Sequence, residues 1–205
     1  MNAAESAGRP VRLPRAQRRQ QLIDVARAVF VEHGYGQTSM DVIAERAQVS
    51  KPVLYQHFPG KHDLFLQLLE EEVEALLHGV TAALEDATDN KARTRSALHA
   101  VFAYVADPNH HHRLLFDPSL ANDPVVGART ARIEQAVSEH ISALLRDSAA
   151  VSGYEASLVS RTIVTAILAA ARQWAEDRDD AASPDLERAV DLTYAVLWRG
   201  LSRLE

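Results

Sequence analysis

The sequence predicts an all-α protein of about nine helices. Apolar residues recur at spacings of three and four along most of the chain, which is the periodicity of a helix face packed on a core. Glycine and proline fall between these segments, and no segment has the alternating pattern of a strand. With 205 residues, of which 47% are hydrophobic, the chain is long enough to build a full core in one or two domains.

The chain begins with a basic arm followed by a long helix. Residues 1–14 are expected to be disordered, because one glycine and two prolines interrupt them. A first helix is expected over residues 15–33, with Gly34 as its C-terminal stop. The buried face of this helix is predicted to consist of Leu22, Val25, Ala26, Val29 and Phe30.

Two short helices joined by a tight turn are predicted next. Thr38 is placed to cap the first of them, with Asp41 three residues later as in a capping box. Ser50 is placed to cap the second, over residues 51–57, and Pro52 fits its first turn. The seam between the two helices is expected to contain Val42, Ile43, Ala47, Val49 and Leu54. This arrangement is typical of a helix-turn-helix, whose second helix enters the major groove of DNA.

The remaining helices are predicted from longer apolar stripes. A fourth helix is expected over residues 61–86, long enough to join the N-terminal head to the rest of the chain. Its stripe comprises Phe65, Leu68, Leu69, Val73, Leu76, Leu77, Val80 and Leu84. Five further elements are predicted over residues 93–106, 113–116, 124–148, 154–177 and 184–203.

Charge is distributed unevenly along the chain. Residues 1–61 hold 9 Lys/Arg and 5 Asp/Glu, a net charge of +4, whereas residues 62–205 hold 13 and 23, a net charge of −10. The two parts sum to the −6 of the whole chain. A basic head on an acidic body is typical of a DNA-binding protein whose remaining surface repels phosphate. The arginines of the basic arm are Arg9, Arg12, Arg15, Arg18 and Arg19. The arm can follow DNA phosphates or enter a minor groove, and the alternative is a solvated, disordered tail.

Composition narrows the class of protein further. The chain has no cysteine, so disulfides and thiolate metal sites are excluded, and a reducing cytoplasm fits the composition. No stretch approaches the roughly 18 uninterrupted apolar residues of a membrane span. The N-terminus lacks the apolar core of a signal peptide, and no phosphate loop, nucleophile elbow or dinucleotide fingerprint is found. We therefore expect a cytoplasmic protein that is not an enzyme and has no cofactor and no membrane partner.

The segment IAERAQVSKPVLYQHFPGKHDLF, residues 43–65, resembles the signature of the TetR family of one-component regulators. Its most specific part is the LYxHF core followed by Lys61. The resemblance implies a DNA-binding head over residues 15–61 and a ligand-binding and dimerisation domain over residues 62–205. It also implies control of transcription through a palindromic operator, by repression in most relatives and by activation in others.

The resemblance assigns roles to individual residues of the head. Thr38, Tyr55 and Lys61 match the positions that contact phosphate, which fixes register without reading sequence. Arg15 and Arg18 of the basic arm are added to this set. The positions that face the groove are Ser50, Lys51, Pro52, Val53, Gln56 and His57. Of these, Lys51 has the chemistry to donate to guanine, and Pro52 and Val53 to touch a thymine methyl.

The last two helices carry apolar residues on more than one face. Leu192 and Val196 lie beside a stripe that contains Val190 and Leu197, so two sides of the final helix need to be buried. One side can face the core of the domain, and the other can pair with a second copy in a four-helix interface. The alternative is a central position within a monomeric bundle. The resemblance implies the homodimer.

A DNA-binding head on an apolar helical body indicates a sensor of a hydrophobic small molecule. The residues predicted to line its pocket are Phe102, Phe116, Val137, Ile141, Ile163 and Ala166. The stretch RLLFDPSLANDPVV, residues 113–126, is similar to actinobacterial members of the family that regulate fatty-acid synthesis. That likeness implies a long-chain acyl-CoA as effector, with Arg113 or Arg129 meeting its phosphates. Each pocket residue has the alternative of being plain core.

Two further interpretations concern the three consecutive histidines and the function of the whole chain. His110, His111 and His112 are consecutive, so they point in different directions and are interpreted as a solvated turn rather than as a metal site. The whole chain could also be a helical carrier or enzyme for a hydrophobic molecule, without DNA binding. The basic arm and the polar face of the helix over residues 51–57 favour the DNA-binding regulator.

Overall fold

The computed structural model describes residues 13–87, 89–148 and 152–201, and this part of the chain contains nine α-helices and no strand. The all-α prediction is therefore confirmed. Arg9 and Arg12 of the basic arm lie outside the described residues. The helices are α1 Arg15–Gln37, α2 Met40–Arg46, α3 Lys51–Tyr55, α4 Lys61–Glu85, α5 Asn90–Val105, α6 His112–Leu115, α7 Pro124–Ser148, α8 Gly153–Asp177 and α9 Leu186–Leu201.

Gly34 interrupts the first helix, as the sequence predicted, although one more turn follows it. Its φ of 72° and ψ of 165° are not helical, and only glycine adopts that combination readily. Thr38 N–H then donates to the carbonyl of Tyr35 at 3.3 Å, which closes the turn into α2. The kink at Gly34 thus sets the direction in which the chain passes from α1 to α2.

The cap of α2 differs from the prediction. Ser39, not Thr38, is the N-cap, and its hydroxyl accepts from Val42 N–H at 3.3 Å. Ser50 occupies the N-cap position of α3 but makes no side-chain capping bond. Val42 is largely exposed rather than part of the seam between the helices. The regular part of α3 is also shorter than expected, because it ends at Tyr55.

The fourth helix runs through the centre of the molecule. Its N-terminal half contacts α1, where Phe65 meets the rings of Phe30 at 5.3 Å and Tyr35 at 5.1 Å between centroids. Further along, it packs against α5, α6 and α7, and α8 packs against α7, α5 and α9. The predicted apolar stripe of α4 is buried except for Leu77, which is half-buried. One helix therefore belongs to the core of the head and to the core of the body.

The remaining helix ends follow local capping chemistry. Helix α7 has the predicted bounds. Helix α5 begins earlier than predicted because Asp89 caps it, its carboxylate accepting from Ala92 N–H at 2.8 Å. Helix α8 begins with a capping box, in which Ser152 and Glu155 each bond the backbone N–H of the other.

The interpretation of the three histidines as a solvated turn is wrong. His112 is buried, and burial together with the neighbouring His110 and Arg113 lowers its pKa to about 4. His111 is half-buried, with its Nδ1 3.5 Å from Asp107 Oδ2. The described residues include no group of three histidine or carboxylate side chains arranged to hold a metal ion. The turn belongs to the packed junction between the body and the head.

Helix α8 is long and apolar enough, by length and composition, to cross a membrane. Core helices of soluble bundles pass the same test. In α8, 33% of this apolar stretch is buried in the bundle, and the buried residues include Ile163, Val164 and Ile167.

Replacing Gly34 with alanine is expected to lower the free energy of unfolding by about 1–3 kcal/mol, because alanine would be forced into backbone angles that it rarely adopts. The new Cβ would also lie 3.4 Å from Asp117 Oδ2. Urea unfolding at fixed protein concentration measures the effect, as a lower midpoint at an unchanged m-value.

Gly79 provides the matched control, since it lies inside α4 with open space around a new Cβ. Gly79→Ala is expected to stabilise the protein by about 0.5–1 kcal/mol. Equal midpoints for the two alanine variants would show that the kink at Gly34 carries no backbone strain.

Candidate DNA-binding surface and ligand cleft

The outer face of α3 is polar and exposed. Leu54 and Phe58 anchor the helix in the core of the head. Tyr55, 50% exposed, projects outward with Lys51 and with Gln56 in the following turn. Ser50 and Pro52 are also exposed, and Val53 and His57 are half-buried at the edges of this face. The structure thus brings the six predicted groove-facing residues and Tyr55 to one short helix and its flanks.

Lys51 is already part of an ion pair in the free protein. Its Nζ lies 2.6 Å from Asp41 Oδ2 of α2, and both side chains are largely exposed. A pair of this kind contributes little to stability, because water screens it. Lys51 can therefore exchange Asp41 for another acceptor at small cost.

Thr38 and Lys61 both bond backbone carbonyls within the head. Thr38 is only 3% exposed, and its hydroxyl donates to the carbonyl of Gly34 at 2.8 Å. Lys61 Nζ donates to the carbonyls of Tyr35 and Thr38, both at 2.8 Å, and lies 4.0 Å from the centroid of the Tyr35 ring. The expectation that the Thr38 hydroxyl faces phosphate is corrected by this burial. Both side chains fix the turn that presents α2 and α3.

A cluster of arginines from α1 lies beside the end of α3. Burial, followed by the charges of Arg15, Arg19 and Arg18, lowers the pKa of His57. The guanidinium of Arg19 sits 4.8 Å from the centroid of the Phe58 ring and bonds the Gln67 side chain. His57 is therefore expected to be neutral near pH 7. The positive charge at this edge comes from the arginines of α1, which adjoin the exposed face of α3.

A cleft of about 600 Å³ lies between α7, α8 and the end of α6. Its apolar wall includes Leu115, Phe116, Ile133 and Leu168, and Arg172 lies on its rim. The Arg172 guanidinium pairs with Glu176 at 2.8 Å and lies 5.7 Å from the centroid of the Phe116 ring. The further lining residues are Gly127, Thr130, Ala131, Glu134, Thr165, Ala169, Gln173 and Glu176.

Of the residues predicted to bind ligand, only Phe116 lines this cleft. Phe102 is in the core, 5.7 Å from Trp174 between ring centroids, and Arg113 donates to the carbonyl of Val31 on the far side of α6. Ala166 is on the exposed outer face of α8. The residues that instead pack on the core are Val137, Ile141 and Ile163. The ligand-binding residues were predicted from apolar character alone, and that criterion selects core residues. The lining of the cleft is partly polar, so it escaped this criterion.

An exposed apolar face runs along α8 and α9. Tyr154 is 79% exposed and Val196 is 75% exposed, and Leu158 and Leu192 are also largely exposed. Thr162, Thr165 and Ala166 continue the α8 part of this face. Large apolar side chains grouped in this way are typical of a surface that another molecule covers.

Comparison with known proteins agrees with this geometry. The family model described as bacterial regulatory proteins, tetR family, matches residues 22–68. The HTH-type transcriptional activator FasR of Mycolicibacterium smegmatis is 36% identical over 193 residues, covering 94% of this chain and 87% of that protein. The HTH-type transcriptional regulator HbdR of Aromatoleum sp. is 33% identical over 108 residues, covering 52% of this chain and 46% of that protein.

Solved structures share the fold over nearly the whole chain. A TetR-like transcriptional regulator from Rhodococcus sp. RHA1 superposes with a TM-score of 0.73 at 29% identity, covering 93% of this chain and 99% of its own. The fatty acid degradation regulator FadR from Bacillus halodurans gives 0.71 at 20% identity, covering 92% and 98%, which supports the fold alone. From the helix-turn-helix, the helical body and these relatives together, the chain belongs to the TetR family of transcriptional regulators rather than to helical carriers or enzymes.

Proposed function

We propose that the protein is a homodimer that binds a palindromic operator through α3 and releases or retains it according to a hydrophobic effector. The observation that carries this proposal is the exposed polar face of α3 beside the arginines of α1. A packing helix would bury Lys51, Tyr55 and Gln56, whereas here all three are exposed. We assign residues 15–61 to the DNA-binding head and residues 62–205 to the sensing and dimerisation domain, in a regulator that acts in the cytoplasm.

In DNA recognition, we assign base reading to α3 and phosphate binding to its surroundings. Lys51 exchanges Asp41 for the O6 and N7 acceptors of a guanine, while Pro52 and Val53 contact a thymine methyl. Gln56 adds donors and an acceptor at the same edge. The Tyr55 hydroxyl and the guanidinium groups of Arg15 and Arg18, at the start of α1, bind backbone phosphates.

Dimerisation buries the apolar face of α8 and α9 against the same face of a second copy. A two-fold pairing makes the surface self-complementary, so Val196 and Leu158 each meet apolar groups of the partner chain. The same two-fold axis places two α3 helices side by side, and successive turns of one DNA groove are about 34 Å apart. Dimer formation is thus the condition for reading both halves of a palindrome.

We propose that the effector places an apolar chain in the cleft between α7 and α8. Leu115, Phe116 and Leu168 provide an apolar wall for it. A long-chain acyl-CoA fits this chemistry, and residues 113–126 resemble regulators of fatty-acid synthesis. Arg172 on the rim is the cation best placed for a phosphate. Arg113 and Arg129 are less suited, because they bond the carbonyls of Val31 and Leu66, and Arg129 also pairs with Glu70 at 3.0 Å.

The direction of regulation follows from where the operator lies relative to the promoter rather than from the fold. The family resemblance implies repression in most relatives and activation in others, and the sequence of this chain does not distinguish the two. FasR, which matches 94% of this chain, is named an activator. We therefore favour activation for this protein, and transcription in vitro from a bound promoter with and without the regulator distinguishes the two.

Tyr55→Phe is expected to weaken binding to all duplexes alike, because a phosphate contact carries no sequence information. Lys51→Ala is expected to relax the preference at one base pair by about 1–3 kcal/mol. Electrophoretic shift assays on a selected operator and on random duplex, at several salt concentrations, measure both effects. Tyr194→Phe in α9 is the control. Equal losses on both duplexes for both variants would contradict this division of roles.

Val196→Glu is expected to convert the dimer to a monomer, because a charge on each chain would be buried at the two-fold interface. Sedimentation velocity reports the change, and operator affinity should fall at least about tenfold because two heads no longer bind together. Val125→Glu, an exposed apolar residue at the start of α7, is the matched control. A Val196→Glu variant that stays dimeric would place the interface elsewhere.

Acyl-CoAs are expected to raise the melting temperature in proportion to chain length, since each buried methylene adds about 0.8 kcal/mol. A ligand at 100 times its dissociation constant stabilises the folded state by about 2.7 kcal/mol. Ala131→Phe, which fills the cleft, should abolish the shift, whereas Ala136→Phe on the exposed side of α7 should not. No stabilisation at any chain length would exclude acyl-CoA, and an equal shift with free coenzyme A would exclude the apolar site.

A further inference from the structure

Glu72 is a buried carboxylate in the middle of α4. It lies four residues from both Leu68 and Leu76 on the buried face of that helix, and it is only 4% exposed. A carboxylate without partners in such a place is costly, because no water replaces its hydration. Glu72 therefore depends on the donors that other elements bring to it.

Three elements supply partners to this one carboxylate. Arg27 of α1 bonds Glu72 Oε1 through one guanidinium nitrogen and Glu71 through the other. Tyr104 of α5 donates its hydroxyl to Glu72 Oε2 at 2.9 Å. His111, in the turn before α6, has its Nδ1 3.8 Å from Glu72 Oε1. The head, the body and the turn before α6 thus meet at a single side chain.

Tyr104 acts only as a donor in this arrangement. Burial and the adjacent Glu72 carboxylate raise the pKa of its hydroxyl, so the proton stays on Tyr104 at neutral pH. Arg27 is permanently charged. The two donors therefore hold one oxygen each of Glu72, and both bonds are directional. If Tyr104 moved, Glu72 would lose a hydrogen-bond donor on Oε2, and the position of its ion pair with Arg27 would change.

The chain from Tyr104 onward connects this network to the cleft. Leu115 and Phe116, at the end of α6, line the cleft. Asp117 directly after them accepts from the backbone N–H of Tyr35 at 2.6 Å. One segment of about a dozen residues therefore touches the proposed ligand site on one side and α1 of the head on the other.

We infer that Glu72 is the positioning residue that sets the angle of the head relative to the body, and that the Tyr104 hydroxyl is the body's donor that holds Glu72 in place. The inference rests on the proposed ligand-responsive function. Apolar contacts along α4 also hold the two parts together, and their attraction is non-directional. The bonds at Glu72 are directional, buried and shared between the two parts.

Distances between spin labels test this inference without relying on DNA. The chain has no cysteine, so a double variant with Glu45→Cys in the head and His140→Cys in the body carries one spin label at each of these two exposed sites. Labelled chains are mixed with an excess of unlabelled protein, so that most dimers contain one labelled chain and the measured distance is the one within that chain. The variants are Tyr104→Phe and Glu72→Gln. Tyr194→Phe is the matched control, because the Tyr194 hydroxyl has no hydrogen-bond partner among the described residues.

Tyr104→Phe and Glu72→Gln are expected to shift or broaden the distance distribution and to lower affinity for an operator duplex selected with the wild-type protein by about three- to tenfold. Tyr194→Phe should leave both unchanged. A Tyr104→Phe protein that melts lower but keeps the wild-type distance distribution would reduce the network to plain stabilisation and overturn the inference. Wild-type protein that binds no duplex would remove the proposed function, while the distances would still decide the role of Glu72.

Discussion

The structure depends on α4 being shared between two cores. Phe65 near its start packs on Phe30 and Tyr35 of the head, and Val73 and Leu76 further along are buried in the body. The helix has 25 residues, and at about 1.5 Å per residue it extends from the head into the body. Its packing in the body and the position of the helix-turn-helix are therefore connected through one continuous element.

The surface of the head is organised around the same constraint. Lys61 is the first residue of α4, and its ammonium group donates to the carbonyls of Tyr35 and Thr38. The turn that leads into α2 is therefore bonded directly to α4. Arg19 of α1 contacts both Phe58 and Gln67. The groups that would face DNA are thus few and exposed, while the groups behind them are bonded internally. A binding face of this kind moves as a unit and keeps its shape.

Sequence periodicity predicted the helices because burial on one face determines which residues recur, and α7 was placed with its observed bounds. Capping was harder to predict, because Thr38 and Ser39 have the same chemistry and only the backbone angles select between them. The cleft could not be predicted, since apolar residues such as Phe102 and Ile163 serve the core equally well. A charged residue on the apolar face of α4 was the available signal for Glu72, which its spacing from Leu68 and Leu76 makes visible.

Apolar and polar contacts have different roles at the junction between head and body. The apolar contacts stabilise the junction, and the polar contacts depend on its geometry. Apolar burial along α4 is large and insensitive to small rotations, so it keeps the head attached in every arrangement. Polar contacts such as Tyr104 with Glu72 and Asp117 with Tyr35 depend on both distance and angle, and they weaken steeply when the donor angle falls below about 120°. In the proposed regulator, a ligand that shifts Phe116 would act on these polar contacts through the adjacent Asp117. Under the proposed function, the head would turn while its apolar contacts with the body stay in place, so that an effector could favour one of two arrangements.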